Sequence, residues 1–195
     1  KKPYGTHAIL IGNSHADSIK SSLATLLSQL DIDLSLVQEN VNVNKDNIKS
    51  LEDILLKGNY QYLFIHSRAS TYEFSSLERL ISTSRSLKIN VFLLMPVPEF
   101  TDSVPMSLLK NNSIYSGMSL KNFEDSNQLE FSKLRLLEDR FNINVIDSDK
   151  IFCTPKCILS DKNFNPYYID NNHLTLSGAN FLINGLRNDI FHKIE

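Results

Sequence analysis

Residues 7–16 read HAILIGNSHA, and the parsing of these ten residues decides the fold. Ala8, Ile9, Leu10 and Ile11 form a continuous apolar run of the length expected for a strand buried on both faces, as in a parallel sheet. Gly12 and Asn13 interrupt it. Helical spacing then takes over, with Ile19, Leu23, Leu26, Leu27 and Leu30 on one face of a helix expected over 17–30. A strand that passes directly into a helix is the first half of a β-α-β unit, so the spacing predicts parallel strands joined by crossover helices.

The alternation continues along the chain. Further strands are expected at 33–37, 60–66, 90–95 and 143–146. Ile48, Leu51, Ile54 and Leu55 mark an intervening helix with Gly58 at its C-cap. Ser70 and Glu73 have capping-box spacing, which predicts a helix that begins there and buries Phe74, Leu77, Leu80 and Ile81. Residues 96–122 carry Pro96, Pro98, Pro105 and Gly117 without a clear period and read as a long surface excursion. A helix over 124–140, a cysteine-containing loop after the last strand and a helix over 175–191 complete the chain. The expected class is α/β: a three-layer α/β/α sandwich around a mostly parallel five-stranded sheet of flavodoxin-like order. Right-handed crossovers bring the loops after the first four strands, and the loop before the final helix, to one sheet edge. A site is expected at that edge.

A length of 195 residues and an apolar content of 42% fit one domain, 1–195, with a single sizeable core. The net charge of -2 comes with scattered Lys and Arg and no basic stripe, which argues against a nucleic-acid partner. No apolar run approaches the roughly 20 residues that cross a bilayer, and the first residues lack the apolar core of a signal peptide. Because the chain begins at Lys1 without an initiator Met, it is expected to be a fragment of a longer protein.

Cys153 and Cys157 are the only cysteines. A zinc site needs about four ligands, and no second pair stands at ligand spacing. A disulfide is the preferred reading; its small ring would contribute about 2 kcal/mol and imply an oxidising compartment. Two unpaired thiols are the remaining alternative. No metal is expected, and neither a Gly-rich phosphate loop nor a basic cluster for a coenzyme is present, so no cofactor is expected either.

Two segments carry candidate chemistry. In Gly12-Asn13-Ser14-His15 the chain leaves a strand and enters a helix, which sets the Ser14 hydroxyl beside backbone N–H groups at a positive helix end. That location suits a nucleophile whose intermediate bears an oxyanion; on the turn alone an ordinary helix-entry Ser or a plain anion site is the plainer reading. In Asp170-Asn171-Asn172-His173 an Asp three residues before a His can orient and stabilise the imidazole. Either segment alone is a weak signal. The topology delivers both to one sheet edge, and together they hold the three parts of a Ser-His-Asp triad.

GNSHA (12–16) resembles the GDSH-type block of the SGNH hydrolase superfamily, and YIDNNHLTLSGANFL (168–182) resembles its terminal D-x-x-H block. The resemblance is closer to the SGNH domains fused to acyltransferase-3 membrane proteins. FIHSRAS (64–70), MPVPEF (95–100), the Cys153/Cys157 pair and YYIDNNHLTLSGA (167–179) recur in that family's order, so it covers nearly the whole chain.

The resemblance implies Ser14 as nucleophile, His173 as general base and then acid, and Asp170 as its orienter. It also implies acyl transfer, in the simplest case of acetyl, to a hydroxyl of a bacterial cell-surface glycan such as lipopolysaccharide O-antigen, capsule or peptidoglycan. The acyl group would be delivered by a membrane acyltransferase domain. The location would be periplasmic or extracellular, in a protein of the inner or plasma membrane. A carbohydrate esterase or deacetylase and a non-catalytic glycan-binding domain are the alternatives.

This sequence departs from the family's pattern at named places. Asn13 stands where Asp is usual, removing a charge but keeping an acceptor. The Gly and Asn that supply oxyanion donors in the superfamily have no counterpart in QENVNVN (38–44) or IHSRAS (65–70). The Ser14 N–H is therefore the expected donor. Arg68 is a candidate for supplying charge or binding a substrate hydroxyl or carboxylate, with a surface cation as its plainer reading. His15 and His66 are read first as packed residues. Tyr167 and Tyr168 are read as core or as a sugar-stacking platform, and Asp147 and Asp149 show no metal-ligand pattern.

Overall fold

The structure is a computed structural model that describes residues 5–37 and 42–194. Five parallel strands, β1 (Thr6–Ile11), β2 (Ile32–Leu36), β3 (Tyr62–His66), β4 (Asn90–Leu94) and β6 (Asn144–Ile146), make one sheet in the order β2-β1-β3-β4-β6. This is the flavodoxin-like order expected above. A separate two-stranded antiparallel ribbon joins β5 (Tyr115–Ser119) to β7 (Lys156–Ile158).

Side chains alternate across the central strands, and both faces are apolar. Ala8, Leu10, Phe64, Phe92 and Leu94 point to the layer formed by α1 (Ser14–Ser28) and α8 (Leu176–Gly185). Ile9, Ile11, Leu63, Ile65, Val91 and Leu93 point to the layer formed by α2 (Ile48–Lys57), α3 (Phe74–Ser86) and α6 (Gln128–Phe141). Most of the expected stripes are buried, with Ile19, Leu23, Leu26 and Leu27 on α1, Ile48, Leu51 and Leu55 on α2, and Leu77, Leu80 and Ile81 on α3. Ile54, Phe74 and Leu30, the last beyond the end of α1, are only partly buried against the core.

Several boundaries differ from the sequence expectation. The helix expected from Ser70 begins at Phe74. Its N-cap residue Glu73 makes no capping bond with its side chain, and Ser70 is in a left-handed conformation at φ 63°. The Ser70 N–H instead donates to Glu130 Oε2 at 2.6 Å, a tertiary partner that replaces the local cap. The first helix starts at Ser14, three residues early, because Asn13 caps it.

The excursion at 96–122 contains α4 (Val104–Asn111) and β5, and α5 (Leu120–Ser126) begins within it. The pairing partner of β5 lies about forty residues further on, beyond the reach of local periodicity. The helix expected over 124–140 is divided at Asn127, which ends α5 and stands at the N-cap position of α6, its side chain donating back to the Phe123 carbonyl at 2.9 Å. The last expected helix is α8 followed by α9 (Arg187–Ile194), divided at Leu186. A short α7 (Ser148–Phe152) precedes the Cys153–Cys157 disulfide, which closes the hairpin into β7. Among the described residues, no helix is long and apolar enough to cross a membrane.

Candidate active site

Gly12 lets the β1-α1 turn form. A Cβ there would lie 1.8 Å from the carbonyl oxygen of His66 at the end of β3, so any side chain would push the turn off its neighbour. Asn13 then ties that turn down. Its Oδ1 accepts the backbone N–H of His15 (3.1 Å) and of Arg68 (3.3 Å), and its Nδ2 donates to Thr71 Oγ1 (3.2 Å). Thr71 Oγ1 in turn donates to the Arg68 carbonyl at 2.7 Å. The Asn that replaces the usual Asp thus serves as acceptor and donor at once. Ser14 is the first residue of α1, so its N–H has no carbonyl four residues back to bond and points out at the positive helix end.

The other half of the site is a tight loop between Tyr168 and Leu174, which bridge each other. The Ile169 N–H donates to the His173 carbonyl at 2.8 Å. Asp170 Oδ1 accepts the N–H groups of Asn172 and His173, both at 2.8 Å, and its Oδ2 accepts from His173 Nδ1 at 2.7 Å. Burial alone would raise this carboxyl, but the His173 and Asn172 N–H groups and the His173 ring outweigh it and hold Asp170 down at about 2. Thr175 caps α8, accepting the Gly178 N–H at 3.1 Å and donating to the Pro166 carbonyl at 2.8 Å. The loop is anchored to the rest of the site by Phe100 and Val104, whose N–H groups donate to the carbonyls of Asn171 and Asp170, each at 2.9 Å.

These two halves meet. Ser14 Oγ lies 2.8 Å from His173 Nε2, so hydroxyl, imidazole and carboxylate stand in one hydrogen-bonded line across 159 residues of sequence. Chemically, such a line can draw a proton from Ser14 Oγ onto His173 while Asp170 steadies the resulting imidazolium.

Arg68, just past β3, is half exposed and is held by Glu99, with Nη2 and Nε at 2.7 and 2.8 Å from Glu99 Oε2. Its charge bears on Asp170 and His15. Arg68, Thr71, Glu99, Thr101 and Met118 are among the residues lining a cleft of about 460 Å³ on that side. A larger cavity of about 590 Å³, lined by Phe74, Leu136 and Leu137 among others, lies between α3 and α6 and touches none of these residues.

His15 and His66 are buried, as their packed reading expected. Burial, with a smaller contribution from the charge of His66, lowers His15 to about 3, and burial lowers His66 to about 4. Tyr167 and Tyr168 are core residues: Tyr168 is fully buried against Phe100 and Phe152, and Tyr167 stacks on Phe181, so neither is a sugar platform. Asp147 pairs with Arg135 and Lys150. Asp149 is completely buried, and neither of its carboxylate oxygens has a hydrogen-bond partner. Among the described residues, no group of three or more His, Cys, Asp or Glu side chains is arranged to hold a metal. Residues 38–41 of the QENVNVN stretch lie outside the described residues.

Sequence reasoning missed Glu99, Thr71, Asn171 and Asn172. Glu99 lies within the quoted MPVPEF, and the two Asn residues separate Asp170 from His173, but nothing in a linear sequence shows what an amide bonds.

An α/β/α sandwich with a Ser-His-Asp line at the carboxyl edge of a 2-1-3-4-6 sheet is the architecture of the SGNH hydrolase class. The chain belongs to the family of SGNH domains fused to AT3 domains, whose model matches residues 2–187. No curated protein matches it by sequence. Among solved structures it is similar to the periplasmic domain of a lipopolysaccharide acetyltransferase from Salmonella ser. Paratyphi A, at 16% identity and a TM-score of 0.73 over 96% of this chain and 84% of that one. It is also similar to a putative lipolytic protein of the G-D-S-L family from Desulfitobacterium hafniense, at 14% identity and a TM-score of 0.58 over 94% of this chain and 98% of that one. A psychrotrophic esterase from Pseudoalteromonas sp. matches at 9% identity and 0.56 over 97% and 96% of the respective chains. At these identities the likeness is one of fold.

Proposed function

We propose that this chain is the serine-dependent acyltransferase domain of a longer bacterial membrane protein, and that it passes an acyl group, in the simplest case acetyl, to a hydroxyl of a cell-surface glycan. The observation that carries the proposal is the hydrogen-bonded line from Ser14 Oγ through His173 to Asp170 at the N-terminus of α1. Its support is the family's fusion to AT3 domains and the similarity to the periplasmic domain of the Salmonella lipopolysaccharide acetyltransferase.

The reaction has two halves. His173 Nε2 takes the Ser14 proton as Oγ attacks the acyl carbonyl carbon, and the Ser14 N–H receives the developing oxyanion. The tetrahedral species collapses, the donor's leaving atom departs with the proton from His173, and the acyl group remains as an ester on Ser14. A sugar hydroxyl, entering by the cleft beside Arg68 and Glu99, then yields its proton to His173 and attacks the acyl carbon. Ser14 Oγ leaves and recovers that proton, and the sugar carries the ester. The AT3 part supplies the acyl donor, which gives the domain a periplasmic or extracellular position.

One observation favours a second reading, ester hydrolysis: the His173 side chain is 35% exposed, so water reaches the general base. The test is expression of Ser14→Ala and wild type, each within the full membrane protein, followed by mass spectrometry of the glycan. Acylated glycan with wild type and none with Ser14→Ala is the expected result. Undiminished acylation with Ser14→Ala would remove the serine mechanism.

A further inference from the structure

Beneath the site runs a second line of hydrogen bonds whose direction is fixed by its end. The Phe100 carbonyl can only accept, so Asn171 must turn its Nδ2 toward it (3.0 Å). Asn171 Oδ1 is then left to accept from Asn172 Nδ2 at 2.9 Å. Asn172 must therefore present Oδ1 to His15 Nε2 at 3.2 Å, and only a protonated Nε2 can complete that bond. His15 adjoins Ser14 in the chain and Asn172 adjoins His173, so this bond joins the two halves of the site one residue away from the reacting pair. The His15 ring also packs against His173, with centroids 5.3 Å apart and planes tilted by 57°.

We infer that His15 is a positioning residue. Held as the neutral Nε2–H tautomer by the Phe100–Asn171–Asn172 line, it sets the distance between Ser14 Oγ and His173 Nε2 and stands as the wall behind the His173 ring. Both His15 and Asn172 are buried, so the bond is shielded from water and its loss leaves two polar groups without solvent. The low basicity that burial gives His15 agrees with a ring that stays neutral and does not compete with His173 for the Ser14 proton. The line ends at Phe100, between Glu99 and Thr101, so the wall of the cleft and the reacting pair share one anchor.

Only the kinetic half of the test rests on the proposed serine chemistry. Nitrogen-15 NMR of the histidine rings in the wild-type chain reads the tautomer directly: His15 should be protonated at Nε2 and unprotonated at Nδ1 throughout pH 5–8, and an Nδ1–H tautomer overturns the inference whether or not the chain is an enzyme. For turnover of p-nitrophenyl acetate, His15→Leu and Asn172→Ala should each lower kcat by roughly tenfold or more with KM within about twofold. The double variant should be no worse than the lower single by more than about threefold, because both break one link. His15→Gln, which keeps a donor near the Nε2 position, should recover kcat to within about threefold of wild type. A His15→Gln variant no better than His15→Leu, or losses confined to KM, refute the positioning role. Absence of turnover in wild type would count against the serine chemistry, and the NMR result would still decide the tautomer.

Discussion

Asp170→Asn is the substitution whose outcome the geometry fixes most tightly. Asp170 Oδ1 accepts two backbone N–H groups, from Asn172 and His173, both at 2.8 Å. In the variant the amide oxygen must stay with those two donors, because turning the NH2 toward them would set donors against donors. The NH2 is then left facing His173 Nδ1 in place of the carboxylate oxygen now 2.7 Å away. His173 can accept that bond only with Nδ1 unprotonated, which moves its proton to Nε2, the atom that must receive the proton of Ser14. The fold keeps its loop and the base has the wrong tautomer.

The expected loss is about 10³- to 10⁴-fold in kcat/KM for an activated acetyl ester, equivalent to about 4–5 kcal/mol of transition-state stabilisation. Thermal stability at neutral pH should fall by about 1–2 kcal/mol, since the loop bonds survive but lose their ionised acceptor, whose contribution solvent partly screens. Asp170 is held at about 2, below the ordinary carboxyl range, so it is ionised throughout pH 5–9 and wild-type activity there should show no step of its own. Ester hydrolysis and circular-dichroism melts on the two proteins check both halves. An Asp170→Asn protein that keeps a rate within about tenfold of wild type would refute the orienting role.

Two further substitutions test the scaffold. Asp149 is raised to about 6, first by its burial and then by the charge of Asp147. Between its ordinary value and about 6 the folded state binds the extra proton, so its contribution to stability falls as pH rises through that window. Asp149→Asn should therefore be more stable than wild type at pH 8 by up to about 3 kcal/mol and nearly equal to it at pH 3–4. Urea unfolding at both pH values measures the gap, and an Asn variant weaker than wild type at pH 8 contradicts the assignment. Gly12→Ala should lose folded protein or displace Ser14, because its Cβ would sit 1.8 Å from the His66 carbonyl oxygen; a variant with wild-type melting and activity would show that the turn has room the structure denies it.

Local periodicity and composition encode a good part of this fold. The five strands of the main sheet and the principal helices follow from apolar runs such as Ala8–Ile11 and stripes such as Ile19, Leu23 and Leu27, because alternation and helical spacing are properties of neighbouring residues. The strand order, by contrast, is expected from sequence only as the simplest topology for alternating strands and helices, and is set by the pairing. The candidate triad was legible as two motifs, GNSHA and DNNH, each weak by itself, which the topology of parallel strands brings to one edge and to which the family resemblance gives roles. What required the tertiary structure were the interactions whose partners lie far apart in sequence. Glu130 moves the start of α3 from Ser70 to Phe74, and the ribbon in the supposed loop joins Tyr115 to Ile158. Asn13 holds Arg68 and Thr71, Glu99 holds Arg68, and two amides between Asp170 and His173 reach Phe100 and His15. An amide or a carboxylate bonds with equal readiness in many directions, so its partner is chosen by whichever donor or acceptor the finished fold brings within about 3 Å of it.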